Sequence, residues 1–341
     1  MDRKINVLQH GVGAKGKIMV KLILNKTGLN IVGAVDIVNV GKDLGEVVGH
    51  GGETGVSISD NLDATLAQCK PDVMLDATFS YLKQLYPIFK KVLEAGVNII
   101  SIAPQAFNPW VSEPELSKKL DETAKRNAVS LVGAGMSPGF HSDVLPVFFS
   151  GICGNINKII CERVSDVTKS GPTFRRRCGF GLFKDEAESK LAVGEVQLML
   201  AYPDDVHFIA DGLGWTLSDV HEEKEFLISE HVRDHLPDYK IEPGQVYGFR
   251  HDCYGVKDGK DVIGIRSVIA TDPALDGFEV HYKLSVEGEP SFTINSPDLI
   301  SGNNIPIAVA ANAVNWIPYV MKAKPGLLTS AKDFSLVTYL P

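Results

Sequence analysis

The heptapeptide "HGVGAKG", residues 10 to 16, decides how the chain is read. Three glycines at G-x-G-x-x-G spacing suit any flexible loop, so the flanks carry the argument. Upstream, "KINVLQ" (4 to 9) is a short, apolar, β-branched run, long enough for a strand and too short for a helix. Downstream, Ile18, Met19, Leu22, Ile23 and Leu24 recur at helical spacing, and Gly28 is expected to supply a left-handed C-terminal cap. "NIVGAVD" (30 to 36) then gives a second apolar strand that closes on a carboxylate, Asp36. Strand, glycine turn, helix, strand and acid together make the dinucleotide-binding fingerprint. In that reading Gly11 makes the tight turn, Gly13 admits a diphosphate, and Gly16 lets helix pack on strand. The diphosphate rests with Ala14 and Lys15 at the helix N-terminus, where free N–H groups and the helix dipole favour an anion. Asp36 is placed to accept both hydroxyls of the adenosine ribose and repels a 2′-phosphate, which favours NAD(H) over NADP(H). Lys42 in "GKDLGE" offers a phosphate ligand if its loop folds back, so NADP(H) stays open.

Strands and helices continue to alternate. "PDVMLDAT" (71 to 78) reads as a buried strand, the span from Tyr81 to Glu94 as a helix capped by Gly96, and "VNIISIA" (97 to 103) as a strand. "SEPELSKKLDETAKRN" (112 to 127) reads as a helix and "VSLVGAG" (129 to 135) as a strand. Repeated βα units imply a parallel sheet with helices on both faces, and such sheets bind ligands at the carboxyl ends of their strands. That rule selects the loops 11–16, 78–81, 103–110 and 133–142. Where they leave their strands, Ala77, Thr78 and Phe79, with Ile102, Ala103 and Pro104, are placed along the nicotinamide ribose, and Pro138, Gly139 and Phe140 wall the substrate side.

Beyond about residue 145 the rhythm changes. The segments 156–167, 245–256, 261–271 and 277–288 are long, β-rich and turn-separated, as in a mostly antiparallel sheet, while 182–218 is predominantly helical. "IPIAVAANAVNWIPYVMKA" (305 to 323) is an apolar helical stretch. The expected fold class is therefore α/β, with a Rossmann dinucleotide-binding domain on a parallel sheet (1–140). An α+β domain for substrate and dimerisation follows (141–304), then a C-terminal helical segment (305–341) that packs back on the domains. The apolar tail exceeds what one facing domain covers, which predicts a homodimer.

With 341 residues, 44% of them hydrophobic and 22% charged, the chain reads as globular, and its net charge of −8 argues against nucleic acid or an anionic membrane as partner. Arg175, Arg176 and Arg177 are the local exception, either a solvated turn or an attraction for a carboxylate. Met1 to Arg3 lead straight into the first strand and no apolar run reaches membrane-spanning length, so the expected location is cytoplasmic. The five cysteines are scattered without a C-x-x-C pair, and neither the nine histidines nor the pair His231 and His235 sits in a zinc motif; no metal is expected.

The fingerprint with "VGAVD", then "GKDLGEVVG", "GAGMSPGF", "IADGLGWTLSD", "INSPD" and "AKPGLLT", runs from residue 5 to about 330. In this series the chain resembles the family of 2,4-diaminopentanoate dehydrogenase and the native amine dehydrogenases, whose architecture is that of dihydrodipicolinate reductase. The resemblance implies NAD(P)-dependent, reversible oxidative deamination of an amine to a ketone and ammonia. It also implies an acidic residue after the fifth strand, in a pattern close to S-x-x-E-E-x-x-Y-P. Here the chain reads "SIAPQAFNP", with Pro104 and Gln105 at the acidic positions.

A proton carrier must then be sought elsewhere, or the reaction is not amination. Besides Gln105 the candidates are Glu162, Asp143 just beyond "SPGF", and Lys169 in "TKSGPT", a segment similar to the one with which dihydrodipicolinate reductases hold their dicarboxylate. Substrate contacts are expected from Arg163 and Ser165 in "ERVS", from Phe140 and from His141; Arg163 either meets a substrate carboxylate or carbonyl or pairs with Glu162 or Asp166. Two alternatives stay beside the amine dehydrogenase: an imine or carbonyl reductase of the dihydrodipicolinate reductase type, and a dinucleotide-binding protein without catalysis.

Overall fold

The computed structural model describes residues 3–234, 236, 239–297, 304–329 and 333; His235 lies outside them. The chain divides into two compact units, one built from residues up to Val144 and again from Pro306, the other from Leu145 to Ile305.

In the first unit, β1 (Ile5–His10), α1 (Ala14–Leu24), β2 (Leu29–Val35), α2 (Leu44–Val48), β3 (Ile58–Ser59), α3 (Leu62–Cys69), β4 (Val73–Asp76), α4 (Leu82–Glu94), β5 (Asn98–Ser101), α5 (Pro109–Ser112), α6 (Pro114–Arg126) and β6 (Ser130–Gly133) follow one another. The strands form a parallel sheet in the order β6-β5-β4-β1-β2-β3. Two apolar layers sandwich it. Val7, Leu75 and Ile100 face Met19, Val20 and Ile23 of α1, whereas Leu8, Met74 and Ile99 face Leu85 and Phe89 of α4 and Leu120 of α6. The alternation along β1 (Val7 to one layer, Leu8 to the other) is the two-residue period of a strand buried on both faces.

Three local expectations need correction. The helix α1 ends at the Asn25 C-cap, three residues before Gly28, and Gly28 has no positive φ. The helix expected over 112–127 starts only at Pro114, as α6, because Glu113 leaves helical geometry at φ −138° ahead of that proline; Ser112 instead ends the short α5. Downstream of "AKP", Gly326–Leu328 pairs with β6 as a seventh strand of the sheet.

The second unit holds most of α7 (Val144–Ser150), then β7 (Asn155–Asp166), α8 (Pro172–Arg177), α9 (Lys184–Ala192), α10 (Tyr202–Leu213), β8 (Asp219–Ile228), β9 (Val246–Lys257), β10 (Lys260–Ala270), β11 (His281–Glu289) and β12 (Phe292–Ser296). Its sheet runs β12-β11-β7-β10-β9-β8, antiparallel except where β7 meets β10. α10 lies on one face, near enough that a Cβ at Gly255 of β9 would fall 2.7 Å from Val206.

The chain then forms α11 (Asn304–Val320) and β13 (Gly326–Leu328). Val314, Ile317 and Val320 of α11 join the same apolar layer as α1. Much of the helix's apolar surface is thus spent within the chain, leaving Ile307 and Tyr319 exposed. No described helix is long and apolar enough to cross a membrane.

Candidate active site

The carboxyl edge of the first sheet collects the turn and loops that the sequence selected. Gly11 stands at φ +84° with its N–H on Val35 O at 2.8 Å, and a Cβ on Gly16 would fall 2.0 Å from Gly11 O. The fold itself demands both glycines. Gly13 is different: it caps α1 in extended geometry that any residue adopts, and a Cβ there would meet nothing within 4 Å. Gly13, Ala14 and Lys15 are exposed, and no side chain caps the helix. A glycine with neither a conformational nor a packing reason keeps space for a group from outside, and the N-terminus of α1, whose dipole favours an anion, borders that space. These residues fit the diphosphate of a dinucleotide.

Asp36 ends β2 and accepts from the Val12 N–H through Oδ2 and from the Val38 N–H through Oδ1 at 2.8 Å. One carboxylate therefore ties the end of β2 to the glycine turn. Lys42 is exposed in the turn that follows, its carbonyl accepting from Ile58 N at 3.0 Å.

Behind the turn, Gln9 places Nε2 on Gly11 O at 2.9 Å. On the other face, His10, Asp76 and Ser101 lie abreast at the ends of β1, β4 and β5. Fully buried Asp76 accepts from His10 Nδ1 at 2.9 Å, Thr78 Oγ1 at 2.7 Å and Ser101 Oγ at 2.7 Å. The backbone of the same row carries the loops above it, with Ala77 N on His10 O at 2.8 Å and Ile102 N on Asp76 O at 3.1 Å; Ser101 Oγ accepts from Ala103 N at 3.1 Å. Thr78 and Phe79 are exposed, and Pro104 opens a single 3₁₀ turn. Gln105 turns its Oε1 to the Leu82 N–H, 3.0 Å away, at the start of α4.

The loop after β6 folds tightly on itself: a Cβ on Gly139 would fall 2.4 Å from Gly135 N. Asp143 closes it. Its carboxyl is fully buried and accepts from the Gly139 N–H at 2.7 Å and from the Val144 N–H. Burial pushes this acid up to about 7, and the two N–H donors offset only part of that. Gly139 and Val144, with half-buried Phe140, line an apolar groove of about 620 Å³ along Asn312, Trp316 and Tyr319 of α11. His141 is buried.

The second-unit candidates do not converge. Buried Arg163 donates to Tyr202 Oη at 2.7 Å and to Ser267 Oγ at 3.1 Å, bracing α10 on the sheet. The acids expected beside it are engaged elsewhere: Glu162, on the opposite face, meets Arg266 at 3.3 Å and His281 at 3.2 Å, and Asp166 holds Thr168. Ser165 is buried and its hydroxyl has no hydrogen bond among the described residues; Lys169 is exposed. The reading of the arginine triplet as a solvated turn fails for Arg175. Arg175 is buried on the Tyr239 ring, 3.8 Å from its centroid, and Arg177 donates to Leu198 O at 3.1 Å. On β8, Glu222 falls to about 2: burial pushes it up, and hydrogen bonds from His251 and Lys224 more than offset that.

A family model described as the C-terminal domain of 2,4-diaminopentanoate dehydrogenase matches residues 140–340, more than half of the chain. The chain belongs to the 2,4-diaminopentanoate dehydrogenase family. The N-terminal model of dihydrodipicolinate reductase matches residues 5–103, the glycine turn and β1 to β5. The 2,4-diaminopentanoate dehydrogenase of Acetoanaerobium sticklandii is 29% identical over 96% of this chain and 92% of its own length, and an amine dehydrogenase of Streptomyces virginiae 22% identical over 95% and 94%. A solved amine dehydrogenase from Mycobacterium smegmatis shares the fold at a TM-score of 0.86, covering 97% of this chain and 96% of its own at 24% identity. As a member of the diaminopentanoate dehydrogenase family, the chain is an oxidoreductase of the type that uses NAD(H) or NADP(H).

Sequence reading of this family member missed Gln9, His10, Asp76 and Ser101. The signal was present: three of the expected strands carry a polar residue at or near the end of their apolar run, in "LQH", "VMLD" and "NIIS". Only the register reveals that these ends meet.

Proposed function

We propose that the chain catalyses reversible, NAD(P)-dependent oxidative deamination of a small amine or amino acid, the reaction class of the relatives that it matches. The observation that carries this is the open space above Gly13 at the N-terminus of α1, in a chain of this family. In this reading Gly11, Gly13, Ala14, Lys15 and Gly16 hold the diphosphate and Asp36 takes the adenosine ribose, which favours NAD(H). Ala77 to Phe79 and Ile102 to Pro104 lie along the nicotinamide ribose, and Phe140 walls the substrate. The bound dinucleotide supplies hydride chemistry; the protein must bind, orient and move protons.

Asp143 takes the acid/base role in preference to Gln105, Glu162 and Lys169. A carboxyl near 7 exchanges a proton at neutral pH, and its two backbone donors fix both oxygens. Gln105 carries no exchangeable acid, Glu162 sits in an ion-pair cluster, and Lys169 is exposed. The test is hydride transfer with NADH and NADPH on 2-amino-4-oxopentanoate, 4-oxopentanoate and simple ketones, with and without ammonia. Ammonia-dependent oxidation of either cofactor is expected, and failure with every substrate overturns the reading.

Gln105, an uncharged amide bonded to Leu82 at the position where the family resemblance implies a carboxylate, favours one alternative: reduction of a preformed imine, as in dihydrodipicolinate reductase. Turnover independent of ammonia would identify it. The groove along Trp316 and Tyr319, with exposed Ile307 on the same helix, supports a homodimer, and light scattering at micromolar concentration should exceed the 37.0 kDa of one chain.

A further inference from the structure

We infer that His10, oriented by Asp76, is a cofactor-binding residue whose Nε2 accepts a hydrogen bond from a hydroxyl of the dinucleotide's nicotinamide ribose. The inference rests on the dinucleotide reading above and adds a side chain to it.

His10 is the last residue of β1, directly before Gly11. An ionised carboxylate only accepts hydrogen bonds, so the 2.9 Å contact with Asp76 Oδ1 fixes a proton on His10 Nδ1. In the neutral imidazole the lone pair then stands on Nε2, which needs a donor such as a hydroxyl. The imidazole keeps 10% of its surface exposed while Asp76 keeps none, so the ring runs from the buried acid to the surface of the sheet's carboxyl edge.

Sheet order decides which ribose. The row of strands is β5-β4-β1-β2, and Asp36, placed for the adenosine ribose, follows β2. His10 is bonded toward the opposite side, to Asp76 of β4, whose carboxylate also holds Thr78 and Ser101. Those partners carry the loops at Ala77 to Phe79 and Ile102 to Pro104. Burying a carboxylate without Lys or Arg is costly, and an apolar row would close the sheet edge at less expense. A network kept there instead fixes one tautomer of one ring.

Two substitutions separate this from a purely structural tie. Asparagine places its amide where His10 Nδ1 lies and can still donate to Asp76, but offers nothing at the Nε2 position. Glutamine reaches the Nε2 position with an acceptor. Calorimetric titration of the full chain with NADH, ADP-ribose and AMP is therefore expected to show His10→Asn weakening NADH and ADP-ribose about tenfold, with AMP within twofold of wild type. His10→Gln should recover most of the NADH affinity. His10→Phe, which keeps the ring volume, should behave as His10→Asn and serves if that variant fails to fold. NADH affinity unchanged in His10→Asn or His10→Phe, or AMP weakened as much as NADH, overturns the inference. A wild-type chain that binds neither NADH nor ADP-ribose instead overturns the dinucleotide reading on which it rests.

Discussion

Gln105 Oε1 accepts the backbone N–H of Leu82 at 3.0 Å, so this side chain acts as a remote cap on α4. Tyr81, the N-cap residue, makes no side-chain cap of its own. Gln105→Ala leaves that donor without its acceptor and should lower stability by about 1 kcal/mol in urea unfolding. Gln105→Glu keeps the acceptor and adds a negative charge at a helix N-terminus, so it should be neutral or stabilising by about 0.5 kcal/mol. Held in this way a new carboxylate is a poor base, and Gln105→Glu alone should leave ammonia-dependent turnover within about threefold of wild type. A larger gain would show that the side chain leaves α4 to reach the substrate. Pro104→Glu, free of that contact, is the substitution to compare.

Gly13 and Gly16 separate binding from folding. At Gly13 a methyl group meets no protein atom within 4 Å, whereas at Gly16 it would lie 2.0 Å from Gly11 O. Gly13→Ala should keep its melting temperature, or gain slightly through lower unfolded-state entropy, while NADH affinity falls at least tenfold. Gly16→Ala should lose several degrees, because only backbone movement relieves the clash. If Gly13→Ala binds NADH normally, the diphosphate does not lie there.

Asp36 does two things, and its replacement should expose both. Asp36→Ser removes the repulsion of a 2′-phosphate, so the NADPH to NADH preference ratio should rise about tenfold, equivalent to about 1.4 kcal/mol. The carboxylate also holds the Val12 N–H in the glycine turn, so affinity for both cofactors should fall in absolute terms. An unchanged ratio would transfer the choice to another group, Lys42 being the first to examine.

What was legible in the letters follows physical range. The turn, α1, β2 and Asp36 are contiguous, and their periodicity and glycine spacing act within about thirty residues, so sequence carried the Rossmann unit and the glycine turn proposed to hold the diphosphate. α11 was legible because its composition is so apolar. β13 was not, since three residues hold no period and owe their strand state to pairing with β6. Nor does alternation of side chains reveal strand direction, which hid the parallel contact of β7 with β10. At the site the losses are again of long range: His10 meets Asp76 across 66 residues, and Arg163 meets Ser267 across 104. Asp143 was visible as an acid, but its loss of water depends on how the tight loop from Gly135 to Gly139 closes over it.

That burial makes Asp143 the most informative titratable group. Its carboxyl titrates near 7 when folded, above the value of about 3.9 expected unfolded, so between those values the folded chain binds more protons than the unfolded one. Stability contributed by the protonated form is complete below about pH 4 and is lost as pH rises toward 7, by on the order of 4 kcal/mol at most. Asn resembles the neutral acid in shape and cannot ionise. Urea unfolding of Asp143→Asn should therefore match wild type near pH 4 and exceed it increasingly toward pH 8, and parallel stability curves across that range would show that the carboxyl is not raised. Kinetics give an independent check. If Asp143 moves the proton, the wild-type kcat/KM profile should show an ionisation close to 7 that disappears in Asp143→Asn, with a loss of about 10² to 10⁴ in rate. A variant that keeps both the rate and the inflection leaves Asp143 as the closure of its loop and returns the proton transfer to another residue.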